Sequence, residues 1–113
     1  MNGRLLLDTN AVIALWANEP ALQAVLKTAD QLFIPSIVLG ELYFGARKSA
    51  HAQLNLARID NFAAHSAVLP CDATTAKSYG EIRDVLRKRG RPIPDNDLWI
   101  AAIAEQYHLT LLS

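Results

Sequence analysis

Three carboxylates stand in apolar company. Asp8 ends the run Leu5-Leu6-Leu7, Glu41 lies inside the apolar stretch 37–45, and Asp97 leads into Leu98-Trp99-Ile100-Ala101-Ala102. A buried charge must be solvated, paired or bound to a cation, because bare burial costs too much. Three nearby carboxylates repel one another and stay ionised together only if a cation compensates. Hard oxygen ligands that leave room for water point to Mg²⁺ or Mn²⁺ rather than zinc. The three His and one Cys have no zinc-like spacing. An acidic, water-retaining metal site handles phosphate esters: the ion neutralises the phosphate, orients the scissile bond and lowers the pKa of attacking water. Taken alone, Asp8 has a plainer reading, as the cap of the helix that follows it. Convergence of the other acids on its edge separates the two.

The elements that must position these acids follow from pattern. The apolar run 5–7 reads as a strand buried on both faces, central in a parallel sheet. Ligands in such sheets sit outside the carboxyl ends of the strands, where Asp8 lies. A short helix over 11–16 is opened by Thr9 or Asn10. Pro20 suits the first turn of a second helix running to about Ala29. Leu32-Phe33-Ile34 is a strand stopped by Pro35. Ser36 is expected to cap a helix from Ile37 to about Lys48, with Gly45 allowing close packing. An amphipathic helix over 52–64 has Leu54, Ala57, Ile59 and Phe62 as its stripe.

Ala67-Val68-Leu69 is a third strand. Asp72 can cap a helix with the stripe Ala76, Tyr79, Ile82, Val85 and Leu86. Asp84 and Lys88 form an i, i+4 pair on its wet side, and Gly90 ends it at C′. Arg91 to Pro94 is extended. Asn96-Asp97 opens a helix that is apolar all round, hence buried. Leu109–Leu112 is the last strand. The order predicts a three-layer α/β/α sandwich with a central parallel sheet. Parallel strands lie about 5 Å apart, so Asp8, Glu41 and Asp97 are expected to face one cleft.

Composition narrows the alternatives. The 113 residues suit one domain with one core, and 51% hydrophobic residues argue against disorder. Lys plus Arg equals Asp plus Glu at 11 each, so nucleic acid would be held by a local basic patch or a metal, not by bulk charge. A single Cys excludes an intrachain disulfide and suits a reducing cytoplasm. No apolar run approaches the ~20 residues of a membrane span, and no secretion signal opens the chain.

Three motifs together resemble a known family. Leu-Leu-Asp-Thr-Asn at 6–10, Gly-Glu-Leu-Tyr-Phe-Gly at 40–45 and Ile-Pro-Asp-Asn-Asp-Leu-Trp-Ile-Ala-Ala at 93–102 are similar to the PIN-domain proteins, specifically the VapC-like toxins of toxin–antitoxin pairs. The resemblance covers essentially the whole chain. It implies an Mg²⁺- or Mn²⁺-dependent endoribonuclease with Asp8, Glu41 and Asp97 as its catalytic, metal-binding acids. Thr9 and Asn10 match the polar residues that orient water or support the metal shell. Asp95 rivals Asp97 for the third position; Asp97 is preferred because it directly precedes the apolar run. The resemblance further implies a homodimer and a cognate antitoxin whose tail covers the acidic cleft. In such proteins another Asp usually follows the last strand after a Thr or Ser. Ser113 matches that hydroxyl, so the expectation is a single PIN-like domain over 1–113 that lacks its C-terminal end.

Several groups carry secondary expectations. Arg87, Lys88, Arg89 and Arg91, with Arg83, form the basic cluster. It either complements the helix dipole or contacts RNA phosphates beside Asp97. Trp99 is expected in the core, Cys71 buried as a small hydrophobe, and His51, His65 and His108 at the surface. One of Tyr43 and Phe44 is expected to meet a partner chain, since consecutive helix residues do not share a face. Two other functions share part of this pattern. A phosphatase of the haloacid-dehalogenase type wants a second Asp two residues after the first, where this chain has Asn10. A non-catalytic PIN-like module would bind RNA or protein without cutting and would hold Mn²⁺ poorly.

Overall fold

The structure, a computed structural model, describes residues 3–113. The elements are β1 (Arg4–Leu7), α1 (Thr9–Trp16), α2 (Pro20–Leu26), β2 (Gln31–Pro35), α3 (Ser36–Arg47), α4 (Ala52–Ala64), β3 (Ala67–Leu69), α5 (Ala73–Lys88), α6 (Asp95–Gln106) and β4 (Thr110–Leu112). The four strands form one parallel sheet in the order β3-β2-β1-β4. Leu5, Leu6 and Leu7 are 3%, 0% and 1% exposed. Successive strand side chains point to opposite faces, so both faces of β1 are covered. This is the expected three-layer α/β arrangement with β1 at its centre. The core cluster joins Leu6 and Leu7 to Val12 of α1, Ile34 of β2, Val38 of α3, and Ile100 and Ile103 of α6.

Several local expectations shift. Pro35, not Ser36, is the N-cap of α3, and no side chain caps that helix. Pro35 still belongs to β2 with extended backbone, so Ser36 is already helical. Helix α2 stops at Leu26, and α6 starts at Asp95 behind Pro94. In α4 the expected stripe holds at Ile59 and Phe62 but not at its start: Leu54 is 72% exposed and Ala57 is exposed, while Leu56 packs on the core. On α5 the deeply buried residue is Thr75 at 0%; Ala76 and Val85 are exposed. A side chain at Gly45 would meet open space, so that glycine makes no close approach. Cys71 is exposed rather than buried. Gly90 does adopt φ +66 just beyond the C-cap Arg89, as a C′ glycine should.

Thr75 is buried because its polar atoms are used. Asp72 and Thr75 form a reciprocal capping box at the start of α5. The Thr75 hydroxyl also reaches Gln106 Oε1, and Gln106 Nε2 donates to Asp72 Oδ1 at 3.1 Å. One end of α5 is thereby tied to the far end of α6. The Thr75 backbone N–H, then the Gln106 and Thr75 side chains, hold the Asp72 carboxyl below its ordinary 3.8. Bonds from Lys88 and Arg87 lower Asp84 likewise. A carboxyl lowered on folding adds stability above its unfolded value, and that stability is lost as pH falls through the folded value. Urea midpoints taken at ~pH 6 and ~pH 3 should therefore differ, and the gap should narrow in Asp72→Asn. An unchanged gap would assign the acid sensitivity elsewhere.

Candidate active site

Strand register builds the first part of the site. Leu7 pairs with Leu112, and the Asp8 backbone N–H donates to Leu112 O at 3.1 Å. The two strands thus end level, and Ser113 comes to rest beside Asp8. Its Oγ donates to Asp8 Oδ2 at 2.7 Å, a contact between residues 105 apart in sequence. The other carboxylate oxygen, Oδ1, accepts from the Ala11 backbone N–H at 2.9 Å and caps α1. Asp8 is therefore both a helix cap and a fixed carboxylate at the sheet edge. The two readings of its sequence position are compatible.

Thr9 and Glu41 meet around one opening. A cavity of about 270 Å³ lies between α1, α3 and α4, and its lining includes Thr9, Ile13, Glu41, Asn55 and Arg58. The Thr9 hydroxyl is buried without a hydrogen-bond partner among the described residues. Such an atom costs free energy unless something satisfies it. Glu41 is half-buried, about a turn and a half into α3. Asn10 is exposed. A larger cavity of about 620 Å³, near Arg58 and His65, is lined by none of the three acids.

Asp97 is the third residue of α6. The return from Gln106 to Thr110 is short, so α6 ends near the amino end of β4 and its first turn lies toward the carboxyl edge. Asp97 is exposed rather than buried, and it has no hydrogen bond or ion pair among the described residues. Asp95 differs. Its Oδ1 accepts from Tyr79 OH at 2.8 Å and pairs with Arg83 at 3.4 Å. Among the described residues, no three His, Cys, Asp or Glu side chains stand close enough to hold one ion. The structure thus joins Asp8 to Ser113 and sets Glu41 with Thr9. It leaves Asp97 on the same edge without direct contact to either.

The donor set fits a hard divalent cation. The fit is one of ligand type and not of spacing: every candidate ligand is oxygen, and among the described residues the Glu41 and Asp97 carboxylates and the Thr9 hydroxyl have no partner. The basic cluster divides. Arg87 and Lys88 both pair with Asp84, at 2.7 and 2.9 Å, whereas Arg89 and Arg91 are exposed with no ion pair among the described residues. Trp99 is half-buried and stacks on Tyr79, rings 4.0 Å apart. The Tyr79–Arg83–Asp95 and Thr75–Gln106 sets were not legible in sequence, since i, i+4 spacing on α5 gives no hint of a partner on α6.

The PIN domain family model matches residues 5–113. The chain is 35% identical over 112 residues to "Ribonuclease VapC2" of Haemophilus influenzae, covering 97% of this chain and 85% of that protein. It is 36% identical to "tRNA(fMet)-specific endonuclease VapC" of Shigella flexneri, with the same coverage. Among solved structures, VapBC2 from Rickettsia felis bound to a promoter DNA fragment superposes with TM-score 0.86 at 30% identity, covering 97% of this chain and 86% of that one. VapBC-1 from nontypeable Haemophilus influenzae gives 0.85 at 32%, covering 97% and 85%.

Proposed function

The chain belongs to the PIN-domain family and, within it, to the VapC ribonucleases, and from that membership we propose a divalent-metal-dependent endoribonuclease that acts as the toxin of a toxin–antitoxin pair. The observation that carries the reading is the family match over 5–113, with Asp8, Glu41 and Asp97 all inside it. Asp8, Glu41 and Asp97 would supply ligands to Mg²⁺ or Mn²⁺, drawing closer around the ion than they stand in this structure, supported by Thr9, Asn10 and Ser113. The ion supplies neutralisation of the scissile phosphate and a lowered pKa for water. The protein's part is geometric. The Ala11 N–H and the Ser113 hydroxyl fix both oxygens of Asp8. Glu41 opens onto the cavity it shares with Thr9. Arg89 and Arg91, without an ion pair among the described residues, would offer their charges to RNA phosphates, and Arg87 and Lys88, both paired with Asp84, would add to the same basic face. Such contacts position an RNA without reading its sequence.

Partners follow from the same reading. Phe44 is 64% exposed, with Lys48 over its ring at 4.4 Å, while Tyr43 turns inward to donate to Asp60. That split supports a partner surface at Phe44, for a second copy in a homodimer or for the antitoxin. No helix among the described residues is long and apolar enough to cross a membrane. The single Cys71 suits the cytoplasm.

The name of the Shigella flexneri relative makes tRNA(fMet) the first RNA to test. Incubation with Mn²⁺ should yield discrete fragments on a denaturing gel, and excess EDTA should prevent them. Fragmentation that persists in EDTA would dismiss the metal-dependent reading. Intact RNA, with no saturable Mn²⁺ binding by calorimetry, would favour the non-catalytic module.

A further inference from the structure

Asp97 is the acid that the fold leaves least constrained by its own contacts. It has no partner among the described residues, its helix lacks a side-chain cap, and residues 91–94 leading into that helix are exposed. Its aim must therefore come from how the first turn of α6 is placed and rotated. We propose that Asp95, Tyr79 and Arg83 are positioning residues that set this rotation and turn Asp97 toward the metal, an inference that rests on the metal-nuclease reading above.

The geometry is specific. Arg83 Nη1 donates to Tyr79 OH at 2.6 Å, and Tyr79 OH donates to Asp95 Oδ1 at 2.8 Å; Arg83 stands 3.4 Å from the same oxygen. Tyr79 and Arg83 are i, i+4 on α5, and Asp95 and Trp99 are i, i+4 on α6. Each pair shares one helix face. The Tyr79 ring lies on Trp99 at 4.0 Å and 15°. Ring stack and hydroxyl bond thus grip one face of α6 at two heights.

Asp97 lies two residues beyond Asp95, about 200° around the helix. Gripping the Asp95 face turns Asp97 away from α5. It then heads the row that continues at Ile100, three residues on. Ile100 is 3% exposed and belongs to the core cluster with Leu6 and Leu7 of β1. The same rotation that seats Ile100 on the sheet presents Asp97 on the side of α6 away from Asp95, in the first turn of the helix. The arrangement also gives Asp95 a use other than ligation. Both members of the Arg83–Asp95 pair are largely exposed, at 60% and 66%. Exposed pairs of this kind add little to stability, so a change in Asp97's aim can be read separately from a change in folding.

The test uses the full chain, Mn²⁺ calorimetry, tRNA cleavage kinetics and thermal melts. Tyr79→Phe keeps the stack and removes the hydroxyl. Mn²⁺ affinity should fall about 10–100-fold, the scale for losing an orienting group behind a ligand. With it kcat should fall, while KM for RNA and the melting midpoint hold. Asp95→Asn should give the same loss, and the double variant no more than either single one, because the groups act as a unit. Arg83→Lys, which keeps the cation, should recover part of what Arg83→Gln loses. Wild-type Mn²⁺ affinity in Tyr79→Phe overturns the proposal. So does a loss confined to Asp95→Asn, which would make Asp95 itself the ligand. A wild-type chain that neither binds Mn²⁺ nor cleaves RNA would overturn the nuclease reading as well; binding and cleavage that survive in every variant would sink only the positioning role.

Discussion

Replacing Asp97 by Asn is expected to slow RNA cleavage by about 10²–10³-fold, the scale for losing one preorganised group of an active site, while the fold stays intact. The structure makes this a clean experiment. Asp97 is exposed and makes no hydrogen bond or ion pair among the described residues, so the amide breaks nothing. Asn keeps the shape and the helix start. It gives up only the favourable charge in the first turn, a small effect at an exposed helix end. Asp8→Asn is the companion. One amide oxygen can still accept from the Ala11 N–H, and Asn caps helices as well as Asp does. The Ser113 hydroxyl can rotate to meet whichever atom replaces Oδ2. Charge is therefore the main thing removed at both positions. Cleavage rates measured beside urea midpoints check this. Full activity in Asp97→Asn would remove its proposed role; lost activity with a collapsed midpoint would mean that folding, not chemistry, had been hit.

The second large effect is on stability. Leu6→Ala should cost about 2–5 kcal/mol, as other large-to-small changes in closed cores do. Leu6 is 0% exposed, on the central strand, with Phe33 on one side and Leu111 on the other. Neighbours held by two strand ladders have little freedom to close the gap. A domain of this size is stable by about 5–15 kcal/mol in total, so the melting midpoint should drop on the order of 10 °C. Leu54→Ala is the control. Both are leucines, and sequence periodicity had placed Leu54 on an inward stripe. At 72% exposure, its loss should stay within about 0.5 kcal/mol. Equal destabilisation by the two substitutions would contradict the phase of α4 described above.

The order of elements, the parallel sheet and the central place of β1 were legible in the sequence. Each is written locally. A continuous apolar run marks a strand covered on both faces, and Asp72 and Gly90 mark the ends of α5. Helix phase was less secure. On α4, the row through Ile59 and Phe62 can be continued toward the helix start by Leu54 and Ala57 or by Leu56, because leucines lie on both sides. Only packing against the sheet chose between them. Burial of Thr75 was likewise hidden, because a hydroxyl is tolerable inside only when Asp72 and Gln106 meet it.

Which groups this protein possesses, and in what order, can be read locally, because strand and helix patterns are set by neighbours a few residues away. Tertiary structure alone decided which groups meet. Ser113 reaches Asp8 because β4 pairs in register with β1, and Asp95 is claimed by Tyr79 and Arg83 because α5 and α6 pack antiparallel. Hydrogen bonds act over about 3 Å, and no spacing in a linear chain states which distant residues folding will bring within that reach.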